Sequence, residues 1–249
     1  MKAIIFDFEA LFPNEINYQK SWDLMFRTFG TQQVGPKSRD FLNKLATFKA
    51  HHSEDKDAGQ FFEDIAKLLD EIELSQIDQF SLYPAVKNGL ASLKTMKLLT
   101  GATTSMGAKA AEKLLDKQEI RVLVGELVAR DNIEGGTDLG LRLKLLMERL
   151  KLERPEEIIY FCTTIPNLRV AKTMKLMTMV LPSKKEKMDL LLLEKPDGLL
   201  ITLDELPVML SLDTFKGPPA LSTSSLADGN QKMPEENKDS RGAEGRTES

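Results

Sequence analysis

Apolar residues fall into two rhythms along this chain, and those rhythms lay out its architecture before any chemistry is considered. KAIIFDF, residues 2–8, is β-rich and apolar on both faces, the pattern of a central parallel strand. Helical spacing then takes over in three groups. Trp22, Met25, Phe26 and Phe29 form the first, Phe41, Leu42, Leu45 and Phe48 the second. Phe61, Phe62, Ile65, Leu68, Leu69 and Ile72 form the third. Three amphipathic helices with no strand between them predict a small helical bundle inserted after the first strand.

From residue 83 strands and helices alternate. LYPAVKNGLASLKTM reads as a helix with Pro84 near its start, and KLLTGATT as a short strand. SMGAKAAEKLLDK reads as a helix, IRVLVGELVA as a strand and LGLRLKLLMERLKL as a helix. The strand EEIIYFCTT, the helix PNLRVAKTMKL and the strand MTMVLP follow, and GLLITLDELPVML supplies a last strand and a terminal helix. Repeated units of this kind predict an α/β fold: a doubly wound parallel sheet with helices on both faces and ligands gathered at the carboxyl ends of the strands. Asp7, Thr103 and Thr164 fall on that edge. The expected organisation is an α/β core from residues 1–14 and 83–212, a helical cap over 15–82, and a tail over 213–249. The tail has almost no large apolar residues to offset its ordering entropy and reads as disordered.

Composition narrows the function classes. At 249 residues, 41% hydrophobic and 29% charged, the chain can bury a sizeable core as a soluble protein. A net charge of −4 gives no reason to expect nucleic-acid binding. DLLLLEKP breaks off after four leucines, so no run spans a membrane. A strand that starts almost at Met1 leaves no room for a signal peptide, and a single cysteine excludes an internal disulfide framework. The expected address is the cytoplasm, with nuclear access open.

Several residues have plain structural readings. Cys162, inside IIYFC, reads as a buried inert thiol, and Met174, Met177 and Met179 as core filler. His51 and His52 read as part of a solvated turn rather than a metal site, and SKKEKMD as a solvated loop. Thr103 and Thr164 read as local helix caps or as phosphate ligands. Asp7 either bonds nearby backbone amides or keeps a chemical role.

The order of strand, helical insert and LYPAVKNGLASLKTMKLLTGATTS resembles the haloacid dehalogenase-like (HAD) superfamily. The likeness is to its β-phosphoglucomutase and phosphoglycolate phosphatase branch, over about residues 2–210. In IIFDFEALFPN the resemblance puts Asp7 on the nucleophile that attacks phosphorus and Glu9 on the acid that protonates the leaving oxygen. Ala10 and Leu11 stand where the family has glycine and threonine. In KLLTGATTS it implies phosphate binding by Thr103, with Thr104 beside it. DNIEGGTDLGLRLKLLMERLK aligns without a gap and puts Thr137 on the family lysine. FCTTIPNLRVAKTMKLM aligns likewise, putting Thr164 and Leu168 on the two acidic positions, with Pro166 and Asn167 keeping the loop recognisable.

The resemblance implies a magnesium site built from Asp7, the Glu9 carbonyl and the acidic loop. Magnesium demands hard oxygen ligands, and a Thr164 hydroxyl and a Leu168 side chain supply little, so no cofactor is expected beyond magnesium in a residually active protein. Thr137 carries no charge, and Arg142 and Lys144 lie further along the helix, where they must fold back to replace the lysine. A carboxylate and a phosphoryl anion 4 Å apart repel by roughly 4 kcal/mol at an effective dielectric of 20. The expectation is therefore an inactive or impaired homologue, a pseudophosphatase retained to bind a protein partner through cap or tail, or a small phosphorylated ligand. The alternative is a magnesium-dependent phosphatase or phosphomutase using Asp7. Dehalogenase chemistry ranks last, because it also uses the missing lysine.

Overall fold

The computed structural model describes residues 1–21, 23, 42, 45, 47, 49, 51, 58–133, 136–181 and 188–211. Six parallel strands form one sheet in the order β3-β2-β1-β4-β5-β6. They are β1 (Ala3–Asp7), β2 (Leu99–Thr103), β3 (Glu126–Val128), β4 (Ile158–Cys162), β5 (Met177–Val180) and β6 (Gly198–Leu199). β1 lies inside the sheet, with Asp7 beside Thr103 of β2 and Phe6 beside Phe161 of β4. Among the described residues the helices are α1 (Ala58–Gln76), α2 (Val86–Thr95), α3 (Ala108–Lys117) and α4 (Arg121–Val124). They continue with α5 (Leu139–Arg149), α6 (Ile165–Thr173), α7 (Met188–Leu193) and α8 (Leu206–Ser211).

Strand alternation sorts the core into two layers. Ile4, Phe6, Ala102, Ile159 and Phe161 face one side, where Leu90 and Leu93 of α2, Leu114 of α3 and Ile65 and Leu69 of α1 cover them. Ala3, Ile5, Val128, Tyr160 and Cys162 face the other, against Leu143 and Leu146 of α5 and Leu168 and Ala171 of α6. All five β1 residues are buried, which is why that strand reads as a continuous apolar run. The architecture is the expected doubly wound sheet. Cys162 is a buried thiol, Met179 is in the core, and Met174 and Met177 pack against it. No helix among the described residues is long and apolar enough to cross a membrane.

Of the three expected cap helices, α1 is described. The apolar positions of the first, Phe41 and Phe48 of the second, the tail, His52 and most of SKKEKMD lie outside the described residues, while Leu42 and Leu45 of the second are helical. Local readings also change. IRVLVGELVA is not one strand: Leu123 and Val124 amides bond the Ile120 carbonyl in a helical turn, and only Glu126–Val128 pairs with β2. Gly125 breaks the run with φ +69°, and a Cβ there would meet the Thr100 carbonyl oxygen at 2.5 Å. Pro84 stands outside its helix, which starts at Val86 after Ala85 in a left-handed conformation. The leucines of DLLLLEKP form most of α7.

A short phrase, KTMKL, ends both α2 and α6, at residues 94–98 and 172–176. Lys97 and Lys175 take φ +59° and +60°, although the amide of each following leucine reaches back to close the helix, onto the Leu93 and Ala171 carbonyls. Lysine is strained there and glycine is not. Lys97→Gly and Lys175→Gly are each expected to stabilise the protein by about 0.5–1 kcal/mol, read as an upward shift in thermal midpoint.

Candidate functional site

The carboxyl end of β1 delivers Asp7, which is 5% exposed and immediately precedes a 3-10 turn, Phe8–Ala10. Phe8, Ala10, Leu11 and Phe12 are buried, so the turn is anchored and holds Glu9 beside Asp7 on the wall of a common cleft. The cleft encloses about 290 Å³. Thr104 and Ser105 after β2, Thr137, Asp138 and Arg142 around the start of α5, and Pro166 and Asn167 of α6 also line it.

Asp7 has a side-chain partner: Asn167 Nδ2 donates to its Oδ2. The end of β1 and the first turn of α6 are thereby joined across 160 positions of sequence. Thr164 occupies the N-cap of α6, but its hydroxyl caps nothing. Pro166 removes one of the two amides such a cap normally reaches, and the Thr164 Oγ1 is buried without a hydrogen-bond partner. Leu168, on the acidic position of the resemblance, is fully buried in the opposite core layer. It supplies no ligand, while its neighbour Asn167 faces Asp7.

Thr103 and Thr104 divide their expected role. Thr103 is fully buried, and its hydroxyl accepts a 3.1 Å bond from Arg142 Nε, so it caps no helix. Thr104 lines the cleft, and its hydroxyl accepts the Met106 amide at 3.1 Å. Thr137 also lines the cleft, as the resemblance requires of the lysine position, but brings no charge.

The cation comes from one turn further on. Asp138 caps α5 by accepting the Leu141 amide at 3.0 Å, which starts the helix at Leu139. Arg142 then falls on the buried face with Leu139, Leu143 and Leu146. Its side chain turns back toward β2, with Nη1 donating to the Gly136 carbonyl at 2.8 Å. At 5% exposure the guanidinium belongs to the cleft wall. Arg142 thus folds back in the way that replacing the lysine would require. Lys144, by contrast, does not line the cleft.

Parts of the donor set weigh against magnesium. An amide N–H already points at Asp7 Oδ2, a guanidinium stands on the same wall, and Leu168 offers no oxygen. Among the described residues, no three His, Cys, Asp or Glu side chains are grouped to hold a metal. His51 is exposed, with Nδ1 bonded to the Thr47 carbonyl. The amide and the guanidinium favour an anion, although the carboxylates of Asp7, Glu9 and Asp138 line the same cleft.

No family model matches the sequence, and no curated protein shows significant sequence similarity to it. Solved structures do resemble it. A haloacid dehalogenase-like hydrolase from Streptococcus pneumoniae superposes with TM-score 0.60 at 17% identity, over 84% of this chain and 98% of that one. CbbY from Rhodobacter sphaeroides, solved in complex with phosphate, gives 0.59 at 19% identity over 83% and 96%. A putative β-phosphoglucomutase from Thermotoga maritima gives 0.56 at 17% identity over 85% and 99%. The chain has the haloacid dehalogenase-like fold.

Proposed function

We propose that this haloacid dehalogenase-fold protein binds the phosphoryl group of a small phosphorylated metabolite in the Asp7 cleft, without magnesium and with turnover that is absent or strongly impaired. The observation that carries the reading is the buried Arg142 guanidinium on the wall it shares with Asp7. A fixed planar fork of donors is suited to an oxyanion. Hydroxyls at Thr104, Ser105 and Thr137 supply neutral donors around the same space.

Titration of the full chain with inorganic phosphate, with and without magnesium, tests it. Binding in the millimolar range or tighter, unchanged by the metal, is the expected result. Asp7→Asn removes an anion that opposes the ligand and is expected to tighten phosphate binding about tenfold, since unit charges 4 Å apart interact by roughly 1–4 kcal/mol between water and a protein surface. Absence of binding to wild type, or weaker binding to Asp7→Asn, contradicts the proposal.

A second reading has its own support. Asp7 and Glu9 share the cleft wall, as a nucleophile and proton donor must, and similar structures carry phosphatase and phosphomutase names. Phosphate release from a panel of monoesters that disappears in Asp7→Asn would favour this reading over simple binding.

A further inference from the structure

A second charged assembly lies behind the cleft, centred on Glu73 of α1. Its side chain is fully buried and sits among the apolar positions of that helix, after Ile65, Leu69 and Ile72. Oε1 accepts the Tyr18 hydroxyl and Arg130 Nη1, each at 2.6 Å. Oε2 accepts the backbone amide of Gly107 at 2.7 Å. Arg130 carries the link onward: Nη1 also donates to the Ser105 carbonyl at 3.0 Å, and its own amide bonds the Met106 carbonyl at 3.0 Å. Asp131 completes the enclosure by accepting the Ala108 amide at 2.8 Å.

These bonds converge on one stretch of backbone, residues 105–108, that leads from the cleft wall into α3. Gly107 sits close to the cluster: a Cβ there would meet Asp70 Oδ1 at 3.0 Å and Arg130 Nη2 and Asp131 Oδ2 at 3.1 Å, a tight fit. The amides of Gly107 and Ala108, at the start of α3, are taken by Glu73 and Asp131. A helix start normally offers such amides to an anion. Here protein carboxylates occupy two of them, while the hydroxyls of Thr104 and Ser105 and the Arg142 guanidinium line the cleft.

We infer that Glu73 and Arg130 are positioning residues that set the Thr104–Ser105 wall for the ligand and couple its occupancy to the packing of α1. The inference rests on the phosphate-binding reading of the cleft. Coupling between two sites is reciprocal, so phosphate in the cleft tightens the Glu73–Gly107 bond as that bond tightens phosphate. A merely structural ion pair would not respond to the ligand.

Amide hydrogen exchange on the full wild-type chain, with and without saturating inorganic phosphate, reads this directly. Phosphate is expected to slow exchange at Gly107 and Ala108 by about tenfold, at the low end of measured coupling factors. Glu73→Gln keeps the shape but weakens the charge-assisted bonds, and is expected to weaken phosphate binding by a similar factor of about ten. Lys87→Ala, at an exposed pair with Glu119, serves as the control and changes neither. The wild-type exchange measurement stands even where Glu73→Gln folds poorly. Phosphate binding with no change in Gly107 exchange, or equal affinity in E73Q, overturns the inference alone. Absence of phosphate binding to wild type overturns it together with the proposed function.

Discussion

Arg142→Met weakens inorganic phosphate binding by about 10- to 100-fold, the equivalent of losing a charge-assisted hydrogen bond worth roughly 1.5–3 kcal/mol. The cleft has acidic neighbours in Asp7, Glu9 and Asp138, and Arg142 is the one cation among the described residues that line it. Removing it leaves an anion facing those carboxylates with only neutral donors beside it among the described residues. The fold also suffers, because the Thr103 hydroxyl is fully buried and loses the guanidinium donor, at a cost of about 1–3 kcal/mol. Calorimetric titration measures the first effect and denaturant unfolding the second. Arg142→Lys is expected to restore little, because an ammonium cannot bond Thr103 and Gly136 in the same plane while facing a ligand. Wild-type phosphate affinity in R142M would remove Arg142 as the anion anchor.

Arg130→Met is expected to be the most destabilising single change, costing about 3–5 kcal/mol. Glu73 then keeps its buried carboxylate with no guanidinium beside it. Burial works against the Arg130 charge, but Glu73 more than offsets it and holds the guanidinium pKa above its ordinary value. Burial likewise pushes the Tyr18 phenol well above its usual range, with Glu73 adding to the shift, so Tyr18 stays a donor at neutral pH. Ordinary domains are stable by about 5–15 kcal/mol, so R130M approaches the margin. For a chain of this size the thermal midpoint is expected to fall by about 10 °C, measured by circular dichroism. Adding Glu73→Leu removes the orphaned charge and is expected to recover part of the loss. A double variant less stable than R130M would contradict that account.

The strongly periodic parts of the fold were legible in the sequence. β1 announces itself because both its faces are buried, and α3 and α5 because their apolar faces recur at helical spacing. IRVLVGELVA was not legible in detail, since a short apolar run with a glycine is compatible with strand, turn or helix, and the approach of Gly125 to the Thr100 carbonyl decides it. At the site, Asp7, Glu9, Thr104 and Thr137 could be placed on the cleft from the motif order. Arg142 could not, because its turn back toward β2 depends on acceptors at Thr103 and Gly136 that come together only in the fold. Yet a signal was present. Arg142 interrupts the stripe Leu139, Leu143, Leu146, and Glu73 follows Ile65, Leu69 and Ile72 in the same way. A charge at an apolar stripe position needs a buried partner, and both residues have one. Asn167 left no such mark, because a polar residue in the first turn of a helix is ordinary.

The interior place of β1 has a bearing on biosynthesis. Ala3 pairs laterally with Leu99 on one side and Ile158 on the other, so the strand bearing Asp7 is made long before either neighbour. A nascent chain must keep this apolar segment from pairing with strangers until the second neighbour has left the ribosome. The cleft therefore cannot assemble on a growing chain before β4 is translated.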